Sequence, residues 1–381
     1  RSVNSEALEL PLVFGHFLPW FTVRGADFPL SAEDALPLAF IPHVEDFRHW
    51  NDPRSGYRRT HHHVPSIGLY DSRNPDVIAW QIETAIEYGL DGFVINWYGK
   101  HSVENVVTLH WLRGLERWNE AHPGQPFHYF FSFDCQAQLP SEGKKPVSRE
   151  EDFEYIQQHL IRETYLHRDG RPVFSVFQYE TPCEPWRHAL DRVFGPHGAD
   201  LIWRGSPAPA GADACYAWIQ PDEDTIDLGK PCCWTQPNSA GDGFLRDFLR
   251  RANEGAHRPE YIMTGVWPGF NNQFVAWAWS PDPDYPHIRP CVICRETTRG
   301  STLDLTWRAC IEYLTRWAAG SPDARVPVPL IQLCTWNDYA ETTTLEPTID
   351  YGTAPLDLCR TRAREARALW RQRMRSMQFP G

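Results

Sequence analysis

The stretch Val328-Pro329-Leu330-Ile331-Gln332-Leu333-Cys334 runs straight into Thr335-Trp336-Asn337-Asp338-Tyr339-Ala340-Glu341. Its first half is apolar on both faces, as a strand buried in a parallel sheet must be. Its second half abruptly carries two carboxylates, an amide and two aromatics. In a parallel barrel the C-terminal strand ends converge on one face, and reactive groups are mounted there. Seven further apolar runs share the pattern: Leu12–Leu18, Gly92–Trp97, Phe127–Phe133, Pro172–Phe177, Asp200–Trp203, Ala214–Ile219 and Tyr261–Val266. With Pro329–Cys334 they make eight strand candidates.

Amphipathic segments lie between several of these runs. Asn74–Tyr88 is the clearest, with Asn74 suited to an N-cap, Pro75 to the first helical position and Gly89 to the stop. Others cover about Ser102–Asn119, Arg149–Arg162, Gly243–Glu254, Thr302–Ala318 and Asp357–Arg373. Alternation of this kind predicts an α/β fold, a (β/α)8 TIM barrel with long βα loops, in a single domain over residues 1–381. The fifth and sixth strands lie close together, with little room for a helix between them, which leaves the count of eight soft. A doubly wound open sheet is the runner-up, but Gly-x-Gly-x-x-Gly and the P-loop pattern are both missing. The long loops at about 22–73 and 220–240 are expected to lie over the active-site face.

Composition narrows the function. The net charge of −12 argues against nucleic acid, since phosphate binding needs clustered Lys and Arg. No stretch is apolar enough to span a bilayer. The 17 Trp are unusual, and about half are expected in the core and half along grooves. Cys291-Val292-Ile293-Cys294 lacks the second pair that zinc would need. Cys215, Cys310 and Cys334 read as buried thiols. His61-His62-His63 puts only two rings on one side of an extended run, so no metal site is assigned. No cofactor is called for. The sequence begins Arg1-Ser2-Val3 without a signal peptide, so compartment is open, with an extracytoplasmic one slightly favoured. Oligomeric state is open.

The predicted strand ends carry His16 and Trp20, Asn96, Trp97 and Tyr98, Asp134, Gln178-Tyr179-Glu180, Tyr216 and Trp218, Trp267, and Trp336 to Glu341. Aromatics, amides and acids with few cations suit a neutral polyhydroxyl ligand. A carbohydrate is therefore the expected partner. Asp338 and Glu341 would stand roughly 10 Å apart on opposite sides of an extended strand. In a helical turn they would share a face, with Cβ atoms about 5–6 Å apart. The chain is leaving its strand here, so a turn is expected, although Asp338 as a plain N-cap is the competing reading. Two close carboxylates, one protonated and one ionised, are the equipment for hydrolysing a glycosidic bond.

Trp336-Asn337-Asp338-Tyr339-Ala340-Glu341 resembles the signature of glycoside hydrolase family 71, the α-1,3-glucanases, and the Asn-Glu-Trp-x-Glu-Gly signature of family 99, the endo-α-mannosidases. Gly15–Phe21, Tyr70–Pro75, Leu90–Gly99, Pro268–Asn271 and Leu345-Glu346-Pro347 also resemble the family 99-like group. The resemblance spans about residues 12–352. It implies a (β/α)8 barrel with α-glycosidase activity, Glu341 as general acid and Asp338 as general base. The base would act on the sugar 2-hydroxyl in a family 99-like mechanism, or on water in a family 71-like one. Asp338 departs from the Glu of family 99, and Ala340-Glu341-Thr342 departs from the Gly-Glu-Ser of family 71. The expected substrate contacts are His16, Trp20, Asn96, Trp97, Tyr98, Asp134, Tyr216, Trp267, Trp336, Asn337, Tyr339 and Glu346. The expected function is hydrolysis of α-glycosidic bonds in a polysaccharide or glycan. The alternative is a non-hydrolytic carbohydrate-binding or glycan-assembly barrel.

Overall fold

The computed structural model describes residues 9–23, 28, 50, 63–135, 147–178, 182–222, 239–254, 257–272 and 291–378. His61, His62, Tyr179, Glu180, Cys232, Cys233 and most of the two long loops lie outside the described residues. Eight parallel strands form the barrel: β1 Leu12–Phe17, β2 Gly92–Trp97, β3 His128–Asp134, β4 Arg171–Phe177, β5 Asp200–Arg204, β6 Ala214–Tyr216, β7 Tyr261–Val266 and β8 Leu330–Leu333. Each pairs with the next, and β8 closes on β1 with Leu12 opposite Leu330 and Gly15 opposite Leu333. Closure removes every sheet edge from the barrel. The strands agree with the sequence expectation to within a residue or two at most ends. The Ala214–Ile219 run is the exception, its strand ending at Tyr216.

The helices form where caps and apolar stripes coincide. In α1, Pro75–Glu87, the Asn74 side chain accepts the Asp76 N–H, and Ile78, Ile82 and Ala85 are buried. Gly89 ends it with φ +84°, a conformation that favours glycine. Helix α2, Val103–Ala121, is capped by Ser102, and α3, Arg149–Tyr155, by a reciprocal Ser148/Glu151 capping box. A single π-turn, Ile156–Leu160, replaces the last α-turn expected for α3. Helix α4, Glu184–Phe194, went unmarked in the sequence, although Trp186, Ala189 and Leu190 stand on its buried face. Helices α5, Asp242–Arg251, α6, Thr302–Ala318, and α7, Ala354–Gln378, complete the layer. Strands β5 and β6 are joined without a helix, as their spacing required.

Period-two alternation sorts side chains between two layers. Phe93 and Phe17 stack at 5.1 Å and both meet Trp111 of α2, so they face the helices. Phe14 and Phe130 meet at 5.3 Å inside the barrel. At the N-terminal end of the strands, buried Asp200 holds Arg168, Arg171 and the Tyr261 hydroxyl. Near the mouth the inward residues become polar, with His16, Asn96, Ser132, Asp134 and Gln332 all buried.

Gly92 is where strand packing leaves no room. A Cβ there would run into the His128 carbonyl and the Phe14 ring. Gly92→Ala is expected to lower stability by about 1–3 kcal/mol through forced separation of β2 and β3. Gly124→Ala, where a Cβ meets nothing within 4 Å, serves as control. Urea midpoints of the two variants check this, and equal midpoints would refute it.

Candidate active site

The acid-bearing segment is a closed loop grown from the end of β8. Cys334 N–H donates to Val266 O at 2.8 Å and Trp336 N–H to His16 O at 2.7 Å, so the chain stays bonded to both neighbouring strands as it leaves the sheet. It then turns back on itself. Thr335 N–H donates to Thr343 O at 2.9 Å, and Glu346 N–H to Trp336 O at 2.8 Å. The Thr335 and Thr343 hydroxyls share a 2.9 Å bond. A compact loop with joined ends holds its tip firmly.

Asp338 and Glu341 occupy that tip. Asp338 N–H donates to Thr335 Oγ1 at 2.8 Å, and Glu341 N–H donates to Asp338 Oδ1 at 2.9 Å. The chain is therefore in a turn, and Asp338 also caps it. Thr342 lies at φ +57° in this turn. From outside, Asn271 N–H donates to Glu341 O at 2.7 Å. Arg295, ordered over the Tyr351 ring at 4.3 Å, donates to the Thr342 and Thr344 carbonyls. Arg299 instead pairs with buried Asp242.

Burial and mutual charge separate the two acids. Glu341 is held well above the usual carboxylate range by burial, then by the charges of Asp338 and Asp134. Asp338 is pushed up by burial to about 6, with N–H donors from its own turn opposing the shift. Of the two, Glu341 is therefore the member that holds its proton to higher pH. Asp134 projects from the end of β3 and accepts Asn96 Nδ2 at 3.4 Å. His16 lies 3.5 Å from Gln332 Oε1 and edge-on to Trp218 at 4.7 Å. Burial pushes His16 down to about 4, so its ring is neutral. Trp218 meets Phe177 edge-on at 5.0 Å. Trp20 and Tyr98, both half-buried, stand 6.2 Å apart.

These residues gather His16, Asn96, Asp134, Asp338 and Glu341 at one end of the barrel, with Trp20 and Tyr98 beside them. Other residues that the sequence assigned to the site are placed in the packing behind it. Trp97 faces the helices, fully buried, its Nε1 donating to Asn105 and its ring stacked on Tyr155. Tyr216 donates to Val176 O, and Trp267 donates through Nε1 to Ala240 O. Asn337 exchanges two bonds with the Leu18 backbone. Trp336 and Tyr339 each donate to Glu346 in the interior. Strand alternation explains Trp97, because it lies one residue past Asn96 and so points the opposite way.

Trp218, named at a strand end, and Gln332 and Phe177, outside the expected contacts, also stand beside His16 at this end of the barrel. Period-two counting gives the signal for two of them. Phe177 follows Ser175 on the inward face of β4, and Gln332 lies two residues before Cys334. Among the described residues no group of His, Cys, Asp and Glu side chains has metal-holding geometry. His63 bonds Asp350 at 2.9 Å. The described cysteines are free, with the Cys215, Cys310 and Cys334 thiols buried and pushed up to about 12. No described helix is long and apolar enough to cross a membrane.

No family model matches the chain. The uncharacterised protein WxcX of Xanthomonas campestris pv. campestris (strain B100) is 24% identical over 325 residues, 77% of this chain and 42% of that protein. The chain thus spans under half the length of that curated relative. Among solved structures, a GH99 endo-α-mannosidase from Bacteroides thetaiotaomicron in complex with BIS-TRIS-propane aligns with a TM-score of 0.57. Its sequence is 15% identical, and the alignment covers 96% of this chain and 99% of that one. A second structure of a GH99 endo-α-mannosidase from that organism gives 0.56 at 14% identity, covering 94% and 98%. A glycoside hydrolase-like protein gives 0.52 at 14%, covering 79% and 89%. The chain therefore shares the (β/α)8 fold of these structures.

The raised carboxyls have a consequence for stability. Burial pushes Glu346 up to about 7. A carboxyl whose folded pKa is raised holds its proton longer in the native state, so its contribution is full below the unfolded pKa and fades as pH climbs through the folded one. His16 and His128, both pushed down by burial, oppose this below about pH 6.5 and are neutral in both states above it. Stability is therefore expected to fall between about pH 6.5 and 8, with Glu346 responsible for on the order of 1 kcal/mol. Urea midpoints at the two pH values measure the slope, and Glu346→Gln should flatten part of it. A slope unchanged in that variant would rule Glu346 out as its source.

Proposed function

We propose that the protein is a glycosidase that cleaves α-glycosidic bonds in a glycan or polysaccharide, with Glu341 as general acid and Asp338 as general base. The observation that carries this reading is the pair of acids held three residues apart in one hydrogen-bonded turn at the mouth of the barrel. Glu341, kept protonated, supplies a proton to the leaving oxygen. Asp338, ionised above about pH 6, withdraws a proton from the attacking hydroxyl. That hydroxyl belongs to water or to the sugar itself, and the two cases differ in the first-formed anomer. His16, Asn96 and Asp134 are proposed to bond sugar hydroxyls, and Trp20, Tyr98 and Trp218 to flank ring faces. Likeness to an endo-α-mannosidase fold makes α-mannosides the first substrates to try.

One observation favours a second reading, a carbohydrate-binding or glycan-assembly barrel without hydrolysis. Asp338 Oδ1 already accepts the Glu341 N–H, so one oxygen of the base serves the turn. Digestion of a glycan library decides between them, because a binding barrel retains glycans without releasing reducing ends. NMR of the first-formed anomer then assigns the nucleophile.

Two expectations follow for an active enzyme. Glu341→Gln should cut turnover of a natural glycan about 10²–10⁴-fold, and turnover of a nitrophenyl glycoside far less, since a good leaving group needs little protonation. Wild-type turnover of the natural glycan in this variant would remove Glu341 as the acid. The pH–rate profile should rise through about pH 6 as Asp338 ionises and fall at higher pH as Glu341 loses its proton. A profile flat from pH 5 to 8 would contradict the assignment.

A further inference from the structure

Glu346 is 1% exposed, which leaves it no face for a sugar. Its Oε1 accepts Gln81 Nε2 at 2.7 Å and Trp336 Nε1 at 3.0 Å. Its Oε2 accepts the Tyr339 hydroxyl at 2.7 Å and the Tyr70 hydroxyl at 2.9 Å. These donors come from helix α1, the segment before it, the end of β8 and the acid-bearing turn. Tyr339 stands between Asp338 and Glu341 in sequence. No ion pair to Glu346 forms among the described residues.

We propose that Glu346 is the positioning residue of the acid pair, fixing the turn that carries Asp338 and Glu341 by gathering four neutral donors from four segments onto one carboxyl. The inference rests on the reading of Glu341 and Asp338 as acid and base. It assigns Glu346 no contact with substrate, in place of the sugar-binding role expected from sequence.

The donors differ in what they can do. Tyr70 Oη already accepts from Gln81 Nε2 at 3.2 Å and Asn337 Nδ2 at 3.3 Å, so its hydrogen must point to Glu346. The Trp336 indole has only an N–H to offer. Tyr339 is the hydroxyl that can reverse and accept. Protonation of Glu346 at Oε2 therefore turns one O–H, and that O–H belongs to the residue between the two acids. In Glu346→Gln the side-chain oxygen still receives both N–H donors, and the new amide donates to Tyr339. The second amide hydrogen, however, meets the Tyr70 hydrogen head-on, and the turn must shift.

The test compares Glu346→Gln with Tyr129→Phe, a change between barrel and helices where the hydroxyl bonds Leu160 O. On an α-linked oligosaccharide that the wild type hydrolyses, Glu346→Gln should lose ten- to a hundredfold in kcat with KM within twofold. Tyr129→Phe should lower Tm with kcat unchanged. A wild-type kcat for Glu346→Gln, or a raised KM at constant kcat, overturns the proposal. A substrate-free arm separates it from the catalytic reading. The carboxyl ¹³C titrations of Asp338 and Glu341 should move in Glu346→Gln by half a pH unit or more, and stay in place in Tyr129→Phe. If no glycan is hydrolysed, the acid–base reading fails while this arm still decides, and unmoved titrations reject Glu346 as the positioning residue.

Discussion

A single buried carboxyl, that of Glu346, ties helix α1 and the segment before it to the acid-bearing loop. Removing a carboxylate from water is expensive, and among the described residues no cation offsets the cost. Neutral donors do so instead, two to each oxygen. Each donor brings its own segment to one point. Around that point Tyr70, Tyr339, Phe21 and Trp50 pack into a satellite apolar cluster outside the barrel core. Phe21 stacks on Trp50 at 4.0 Å, and Trp50 Nε1 donates to Tyr70 O. The start of the long β1–α1 loop and the acid-bearing turn are thus parts of one packed unit.

The barrel supplies the rest through alternation. Inside the barrel Phe14 and Phe130 pack against each other above the Asp200 ion pairs. Its upper interior is polar, and the polar groups are buried beside the acids. In that environment charges interact strongly over short distances. Burial first, and then the charges of Asp338 and Asp134, raise the pKa of Glu341. The N–H groups of the turn act the other way on Asp338. Two acids three residues apart can therefore hold different protonation states, because the backbone donors of the turn serve only one of them.

Arg295 shows how the fold keeps positive charge from cancelling this arrangement. Its guanidinium lies against Tyr351 and bonds the carbonyls of Thr342 and Thr344, so it braces the loop through the backbone. Burial lowers its pKa from the usual arginine range. The acid pair keeps its negative charge while its support gains a cation's reach.

The sequence by itself determined the strands, most helices and the turn that carries Asp338 and Glu341. Those features arise from local rules: apolar runs, caps such as Asn74, the Gly89 stop, and a strand ending in polar residues. The stretch Val328–Glu341 shows the apolar run and the polar strand end. Helix α4 escaped because the Trp186/Ala189/Leu190 stripe is short and partly charged. What only the tertiary structure decided was the direction and company of each side chain. Trp97 and Asn96 are neighbours in sequence and face opposite layers, and Trp336 and Glu346 bond each other across ten residues. Aromatics at strand ends look alike in sequence whether they face a ligand or a helix. Closure of the barrel, which brings β8 beside β1 and Tyr70 beside Glu346, is a long-range event that no local pattern encodes. It is that closure which turns a buried glutamate from a ligand candidate into a structural hub.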